Sequence, residues 1–158
     1  MATVTKKNID NLRQIGGTPW GNLTCLEFTF ETNASGVWVD SDKTTAVGIA
    51  DVCKVGRLPA GFRLLDAKII ISDAFTANST FDLGFAYTDG VDVTAVPQDA
   101  DYFFAALDEA VGLTFKTNTT APVTLPKDAY LILTNNTAAQ AAAGAMNILV
   151  TGILTGTP

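Results

Sequence analysis

Hydrophobic and polar residues alternate along much of this chain, and a period of two places side chains on opposite faces of a β-strand. In the segment 23–31, Leu26, Phe28 and Phe30 share one face, whereas acidic and threonine side chains share the other. The alternation is cleanest from Thr80 to Thr88, where one face consists of Phe81, Leu83, Phe85 and Tyr87. Both segments are therefore predicted to be strands with one buried face.

Shorter or less regular alternating segments predict the remaining strands. They are residues 37–39, 44–55, 62–72, 91–95, 113–117, 123–125, 130–135 and 147–154. Within 44–55 the predicted inward residues are Val47, Ile49 and Cys53, and Gly48 is a candidate bulge. Within 62–72 the pattern separates two faces, one with Leu65, Ala67, Ile69 and Ile71 and the other with Phe62, Leu64, Asp66, Lys68 and Ile70.

Turn and helix signals punctuate these strands. Leu58-Pro59-Ala60-Gly61 combines a proline, which presets φ, with a glycine that accepts the positive φ of a type II turn. Asp89-Gly90 predicts a tight turn into the next strand. Residues 99–112 have acidic N-cap candidates, good helix formers and a closing glycine, which predict a short helix. Ala138 to Ala145 is alanine-rich, and its sequence suits either a loop or one helical turn.

Short strands of this kind with turn signals about every ten residues are typical of an antiparallel β-sandwich. We predict an all-β, jelly-roll-like version of this architecture with at most one or two short helices. The pattern places a single domain at residues 19–158. Residues 1–18 lack alternation and are predicted to form an extended N-terminal arm.

Composition limits the classes of protein to which the chain can belong. Its 158 residues are 47% hydrophobic and 16% charged, which suits one globular domain. A net charge of −6 argues against a nucleic-acid partner, because phosphate binding requires clustered basic residues. The apolar runs are much shorter than the roughly 20 residues of a membrane span, so no membrane partner is expected. No secretory signal pattern is present, so we expect synthesis in a cytosol and free thiols at Cys25 and Cys53.

Candidate catalytic residues are scarce. The chain has no histidine, which removes the commonest general base and metal ligand. Paired carboxylates can hydrolyse glycosides, and the available pairs are Asp40/Asp42, Asp89/Asp92 and Asp99/Asp101. All three fall in predicted turns, where acids usually cap backbone amides, and none has the spacing of a calcium-binding loop. We therefore predict no enzymatic activity, no metal and no cofactor.

Aromatic and arm residues are the candidate contact points. Tryptophans more often pack in a core or an interface than stack on sugars. Tyr102-Phe103-Phe104 cannot place three rings on one face of a helix or strand, so at least one ring is predicted to meet a neighbouring subunit. The predicted interface residues are Lys6, Lys7, Ile9, Leu12, Ile15, Trp20, Trp38, Tyr102 and Phe103.

Three segments in order carry a resemblance to a known family: 58–61 leading into a hydrophobic strand, Asn78 to Phe85, and Asp99 to Phe103. Together they resemble head decoration or cement proteins of tailed bacteriophages, which have jelly-roll-like folds, and the resemblance spans residues 45–158. It implies a non-enzymatic virion protein that is made in the host bacterial cytoplasm and stabilises the outer surface of a capsid. Its implied partners are the major capsid protein and sister copies, with a homotrimer favoured over a dimer.

The predicted arm would then lie along the shell or a sister subunit and become ordered on binding. An alternative function is a carbohydrate- or receptor-binding jelly roll of a phage tail or fibre. That alternative requires an exposed aromatic platform, for which Trp38 is the candidate.

Overall fold

The computed structural model describes residues 1–7, 23–108, 112–114 and 121–155, and in these ranges it contains ten β-strands and no helix. The strands are β1 Thr3–Thr5, β2 Leu23–Thr32, β3 Val52–Leu58, β4 Phe62–Asp73, β5 Thr80–Tyr87, β6 Asp99–Asp108, β7 Gly112–Thr114, β8 Val123–Thr124, β9 Ala129–Asn135 and β10 Gly144–Leu154. They form two sheets, in the orders β1-β3-β9-β5-β6 and β2-β10-β4-β7, and β8 pairs with β4.

Successive strands cross repeatedly from one sheet to the other, which makes the fold a jelly-roll-like β-sandwich. Strands β9 and β10 each pair antiparallel with both neighbours. β10 lies between β2 and β4, and β9 lies between β3 and β5. Only β1 pairs in parallel among the described strands, alongside β3. The predicted all-β antiparallel sandwich is confirmed.

The inner faces of the two sheets form one hydrophobic core. Every second residue of β10 is buried, and the predicted inward face of β5 is buried as well. Phe30 of β2 packs against Phe81 of β5 across the sandwich, with ring centroids 5.6 Å apart. Because full burial of one such side chain contributes about 1.5–3 kcal/mol, contacts of this kind hold the sheets face to face.

A bulge in β4 reverses the predicted faces at the start of that strand. The pairing of β4 with β10 skips Leu65, which is the inserted residue. Phe62 and Leu64 are therefore buried on the same side of the strand as Ala67, whereas the pattern placed them on the opposite face. Beyond the bulge the residues that were predicted to share a face with Ala67 are buried as well: Ile69 and Ile71. The faces predicted from a period of two were wrong at the start of the strand, because this period does not reveal an inserted residue.

The helix predicted over residues 99–112 is wrong, because residues 99–108 form the edge strand β6. The pairing of β6 with β5 is irregular: Leu83 pairs with Phe104, whereas Phe85 pairs with Asp99. A distance of two residues along β5, from Leu83 to Phe85, therefore corresponds to five residues along β6, from Phe104 to Asp99. This irregularity hides the period of two from the sequence, and burial in the tertiary structure overrides the local helix propensity.

Turns form at both predicted sites, but the first spans residues 59–62 rather than 58–61. Gly61 has φ of +75°, and the amide of Phe62 donates to the carbonyl of Pro59 at 3.2 Å. Gly90 has φ of +70° and donates to the carbonyl of Tyr87 at 3.1 Å. The strand predicted at 91–95 is wrong, because this segment belongs to a loop that leads into β6.

Two further segments that were predicted to be strands, 37–39 and 44–55, are mostly loop. The segment 44–55 is strand only from Val52, and Ile49 within it is 57% exposed rather than inward. Val47 and Cys53 are buried as predicted. Gly48 is not a strand bulge, and residues 37–39 contribute only an isolated bridge. The alanine-rich segment forms a loop up to the start of β10.

The predicted N-terminal arm is corrected at its beginning. Thr3 to Thr5 form β1, which pairs with residues 52–54, and Val4 is 1% exposed within the core. The amide of Ala2 donates to Oδ1 of Asp51 at 2.8 Å, which ties the start of the chain to the sandwich. Residues 8–18, the rest of the predicted arm, lie outside the described residues.

Candidate functional site

Three of the aromatic residues predicted to make contacts fall in the described part of the chain, and all three lie in the core: Trp38, Tyr102 and Phe103. Trp38 is 2% exposed, and its ring centroid is 5.1 Å from that of Phe30. Tyr102, Phe103 and Phe104 are all buried within the chain, so the premise that one of these rings must be exposed is wrong. The irregular pairing of β6 makes this burial possible.

An exposed aromatic platform is not found in the described part of the chain. The large hydrophobic side chains exposed there are all aliphatic: Met1, Leu23, Val39, Ile49 and Val91. Trp38 is too deeply buried to stack on a sugar. Trp20 lies outside the described residues, and its proposed contact stays a prediction.

The two predicted basic contacts lie against the body of the sandwich. The Lys6 ammonium donates to Oγ1 of Thr29 at 3.4 Å, and the Lys7 amide donates to the carbonyl of Asp40. A shallow cleft beside them is lined by Lys6, Thr29, Glu31, Trp38, Val39 and Asp40. The remaining predicted arm contacts lie outside the described residues: Ile9, Leu12 and Ile15.

The acid pairs act in turns and local contacts. Asp92 accepts the amide of Gln98 at 2.7 Å, and Asp42 accepts the amide of Thr5 at 2.8 Å. A hydrogen bond with Asp99 raises the pKa of Asp101, but both residues lie on the edge strand β6 and Asp101 is exposed. None of these pairs forms two convergent, desolvated acids of the kind that glycoside hydrolysis requires.

The described ranges contain no group of three or more cysteine, aspartate or glutamate side chains that could hold a metal ion. No helix there is long and apolar enough to cross a membrane.

The most distinctive surface is at one end of the sandwich, where β2, β4 and β9 end and β3, β5 and β10 begin. Four loop segments meet there: residues 33–37, 44–50, 74–79 and 136–143. They contain 26 residues without one charge, whereas the chain average of 16% predicts about four charged residues. We call these four segments the uncharged end.

A buried polar cluster joins three of these segments. Asn135 is fully buried, and its side-chain nitrogen donates to the carbonyls of Gly48 and Ala138 at 3.0 and 2.8 Å. Its side-chain oxygen accepts from the Ser79 hydroxyl at 3.0 Å and from the Gln140 amide nitrogen at 3.1 Å. The four hydrogen bonds satisfy both polar atoms of the buried Asn135 side chain.

Hydrogen bonds that involve backbone amides connect all four segments of the uncharged end. The amide of Val47 donates to the carbonyl of Gly36 at 2.9 Å, and the amide of Gln140 donates to the carbonyl of Val47 at 2.8 Å. The amide of Thr76 donates to Oε1 of Gln140 at 3.2 Å. Loops that are bound to one another in this way form a preorganised surface.

Asp51 fastens the N-terminus beside the uncharged end. Its carboxylate forms an ion pair with Lys43 and accepts the amides of Gly48 and Ala2, both at 2.8 Å. Burial raises the pKa of Asp51, but the hydrogen bonds from Lys43, Gly48 and Ala2 outweigh this effect, so the pKa lies below its usual value. The ionised carboxylate is therefore part of the folded structure.

The opposite end of the sandwich carries charges in pairs. Arg57 forms an ion pair with Asp128, and the Lys127 ammonium lies 2.7 Å from the Asp89 carboxylate. Burial raises the pKa of Asp128, but hydrogen bonds from the Ala60 amide and from Arg57 outweigh it, so the pKa is lowered. We call this region the charged end.

The uncharged end was not predicted from the sequence. Its signal was present, because each of the four segments lacks charge and one is rich in alanine. What the sequence did not reveal is that these segments share one end of the fold. That proximity follows from the strand order.

Solved structures of two phage capsids contain chains with this fold. A chain from the capsid of Ralstonia phage GP4 matches with a TM-score of 0.66 at 16% identity, covering 99% of this chain and 100% of that chain. A chain from the cyanophage Pam1 capsid asymmetric unit matches with a TM-score of 0.58 at 19% identity, covering 91% and 93%. No protein-family model and no curated protein matches the sequence. At these identities the similarity shows the fold.

Proposed function

We propose that the chain is a non-enzymatic structural protein of a phage virion, of the decoration or cement type, which binds the outer surface of a capsid and stabilises it. The observation that carries this proposal is a fold similarity to chains of two phage capsids that extends over nearly the full length of each chain. The three sequence segments that resemble decoration proteins support the same class of virion protein, because that resemblance lies in the sequence and does not depend on the fold.

The described residues are consistent with a binding role rather than a catalytic one. Asp42 and Asp92 accept backbone amides, and Asp89 forms an ion pair with Lys127. The partners under this proposal are the major capsid protein and sister copies of the chain, with a trimer as the expected assembly. Light scattering of the purified chain, with and without empty capsids, measures that assembly state.

The carbohydrate-binding alternative is less well supported. It depended on an exposed aromatic platform, and Trp38 is buried against Phe30. The exposed large hydrophobic residues in the described ranges are aliphatic, whereas sugar stacking uses aromatic faces.

The test is removal and restoration of the chain on purified virions. We expect mass spectrometry to find the chain in the virion, and we expect stripped capsids to lose their genome at a lower temperature than intact ones. Adding the purified chain back should restore the original temperature. Absence of the chain from virions, or equal heat resistance of stripped and restored capsids, would refute the proposal.

A further inference from the structure

We propose that the uncharged end is the docking surface of this protein and that it receives a charge-poor patch on a different protein, the capsid shell subunit, while the charged end faces solvent. This inference rests on the proposed function and specifies which part of the sandwich makes the attachment.

The first argument is the cost of removing charges from water. Burying an ionised side chain in an interface costs several kcal/mol unless a partner compensates it, and interface cores are depleted of charged residues. The uncharged end avoids this cost, because its 26 residues contain no acid or base. At the charged end, Arg57, Asp128, Lys127 and Asp89 would all lose hydration on docking.

The second argument is the low entropy cost of binding. The side chains exposed at the uncharged end are mostly small: Asn33, Ala34, Ser35, Thr44, Thr45, Ala50, Ala77, Asn78, Thr137, Ala139, Ala141 and Ala143. Alanine loses no rotamer freedom when it is covered, and the loops beneath are already held by the Asn135 cluster. Binding therefore orders little that is not ordered beforehand.

The third argument concerns an anchor. Ile49 is the large aliphatic side chain that projects from the four segments, and it is 57% exposed. Its loop is fixed on both sides, because the Asn135 side chain donates to the carbonyl of Gly48 at 3.0 Å and the Ala50 amide donates to the Asn135 carbonyl at 2.6 Å. An apolar side chain on a rigid loop, surrounded by small residues, suits a shallow pocket on a partner.

The identity of the partner follows from charge complementarity. Asp73 ends β4 beside the uncharged end and is exposed, whereas the neighbouring Asp51 and Lys43 form an ion pair with each other. Two copies docked end to end would bring their Asp73 carboxylates to the same interface, and each copy has a net charge of −6. A different protein with an uncharged centre and a neutral or basic rim avoids this repulsion.

Two matched substitutions test the inference. Ile49→Glu adds a negative charge at the uncharged end, and Val91→Glu adds the same charge at an aliphatic loop position that is 61% exposed at the charged end. The probe is capsid shells that have been stripped of the chain, and co-sedimentation measures binding of each variant. Thermal melting confirms that each variant is folded, and Ala139→Glu provides a second charge at the uncharged end.

We expect Ile49→Glu and Ala139→Glu to weaken shell binding roughly tenfold or more and Val91→Glu to bind like wild type. Wild-type binding should also change little between low and high salt, because no charges pair across the centre of the interface. If all the variants bind like wild type, or if Val91→Glu is as weak as Ile49→Glu, the docking surface is wrong while the proposed function stands. A wild-type chain that dimerises alone, with the dimer broken by Ile49→Glu, also overturns it. Failure of the wild-type chain to bind shells overturns the proposed function itself.

Discussion

Gly84 of β5 lies directly against the backbone of Asp99 in β6, so that a Cβ atom at position 84 would be 2.1 Å from the Asp99 carbonyl oxygen. The contact occurs where the register between the two strands shifts, between Leu83 and Phe85. Glycine is weak in the interior of a strand unless another backbone approaches closely, and here one does. The irregular edge strand, and with it the burial of three adjacent aromatic rings, depends on the missing side chain.

Replacing Gly84 tests this dependence. Gly84→Ala should lower the free energy of unfolding by about 1–3 kcal/mol, because the added methyl group must push β6 away from the core. Gly90→Ala is the control, since a Cβ there meets no atom within 4 Å and only its φ of +70° opposes alanine. Urea unfolding should rank Gly84→Ala below Gly90→Ala, and equal stability of the two would contradict the packing argument.

Removing the Asn135 side chain should have a large effect on stability, because this side chain is at the centre of the buried polar cluster. Asn135→Ala leaves the carbonyls of Gly48 and Ala138 without their side-chain donor, and we expect a loss of about 2–4 kcal/mol in unfolding free energy. Asn136→Ala removes the same group from a half-exposed neighbour and should cost less than about 0.5 kcal/mol. Amide hydrogen exchange should also accelerate around Val47 and Gln140 only in the first variant. Similar stability for both variants would argue against the cluster.

Asp51 predicts a defined dependence of stability on pH. Its folded pKa lies below the unfolded value near 3.8, so its contribution is complete above that value and is lost as the pH falls through the folded pKa. Asp51→Asn should cost about 1–3 kcal/mol at pH 7, and the difference from wild type should shrink below about pH 4. Asp40→Asn is a control with the same charge change at an exposed position. Chemical denaturation at several pH values measures both, and a difference that is constant down to pH 2 would contradict the assignment.

The two cysteines should differ in reactivity. Cys25 is exposed on β2, whereas burial raises the pKa of Cys53 to about 12, which leaves almost no thiolate at neutral pH. A thiol reagent should modify one cysteine per chain in the native protein and two after denaturation. Peptide mapping should assign the native modification to Cys25, and rapid native labelling of Cys53 would show that the core around it opens.

Strands with regular pairing were predictable from the sequence, and irregular ones were not. β5 pairs with β9, and β10 pairs with β2, without any shift of register, so one face stays buried along each strand and alternation is visible. In β4 the inserted Leu65 switches the alternating residues from one face of the strand to the other. In β6 the register shift between Phe104 and Asp99 removes the alternation of buried and exposed residues. Both irregularities are properties of a pair of strands, so one strand read alone does not contain them.

The sequence by itself determined the all-β class, the turns at Gly61 and Gly90, the absence of histidine chemistry and the lack of charge in four short segments. Only the tertiary structure decided that Trp38 and Tyr102 are buried and that the four segments meet around Asn135 at one end. Alternation and turn chemistry act between residues that are close along the chain. A shared surface arises from strands that are distant in sequence, and their order is set by how the two sheets pack.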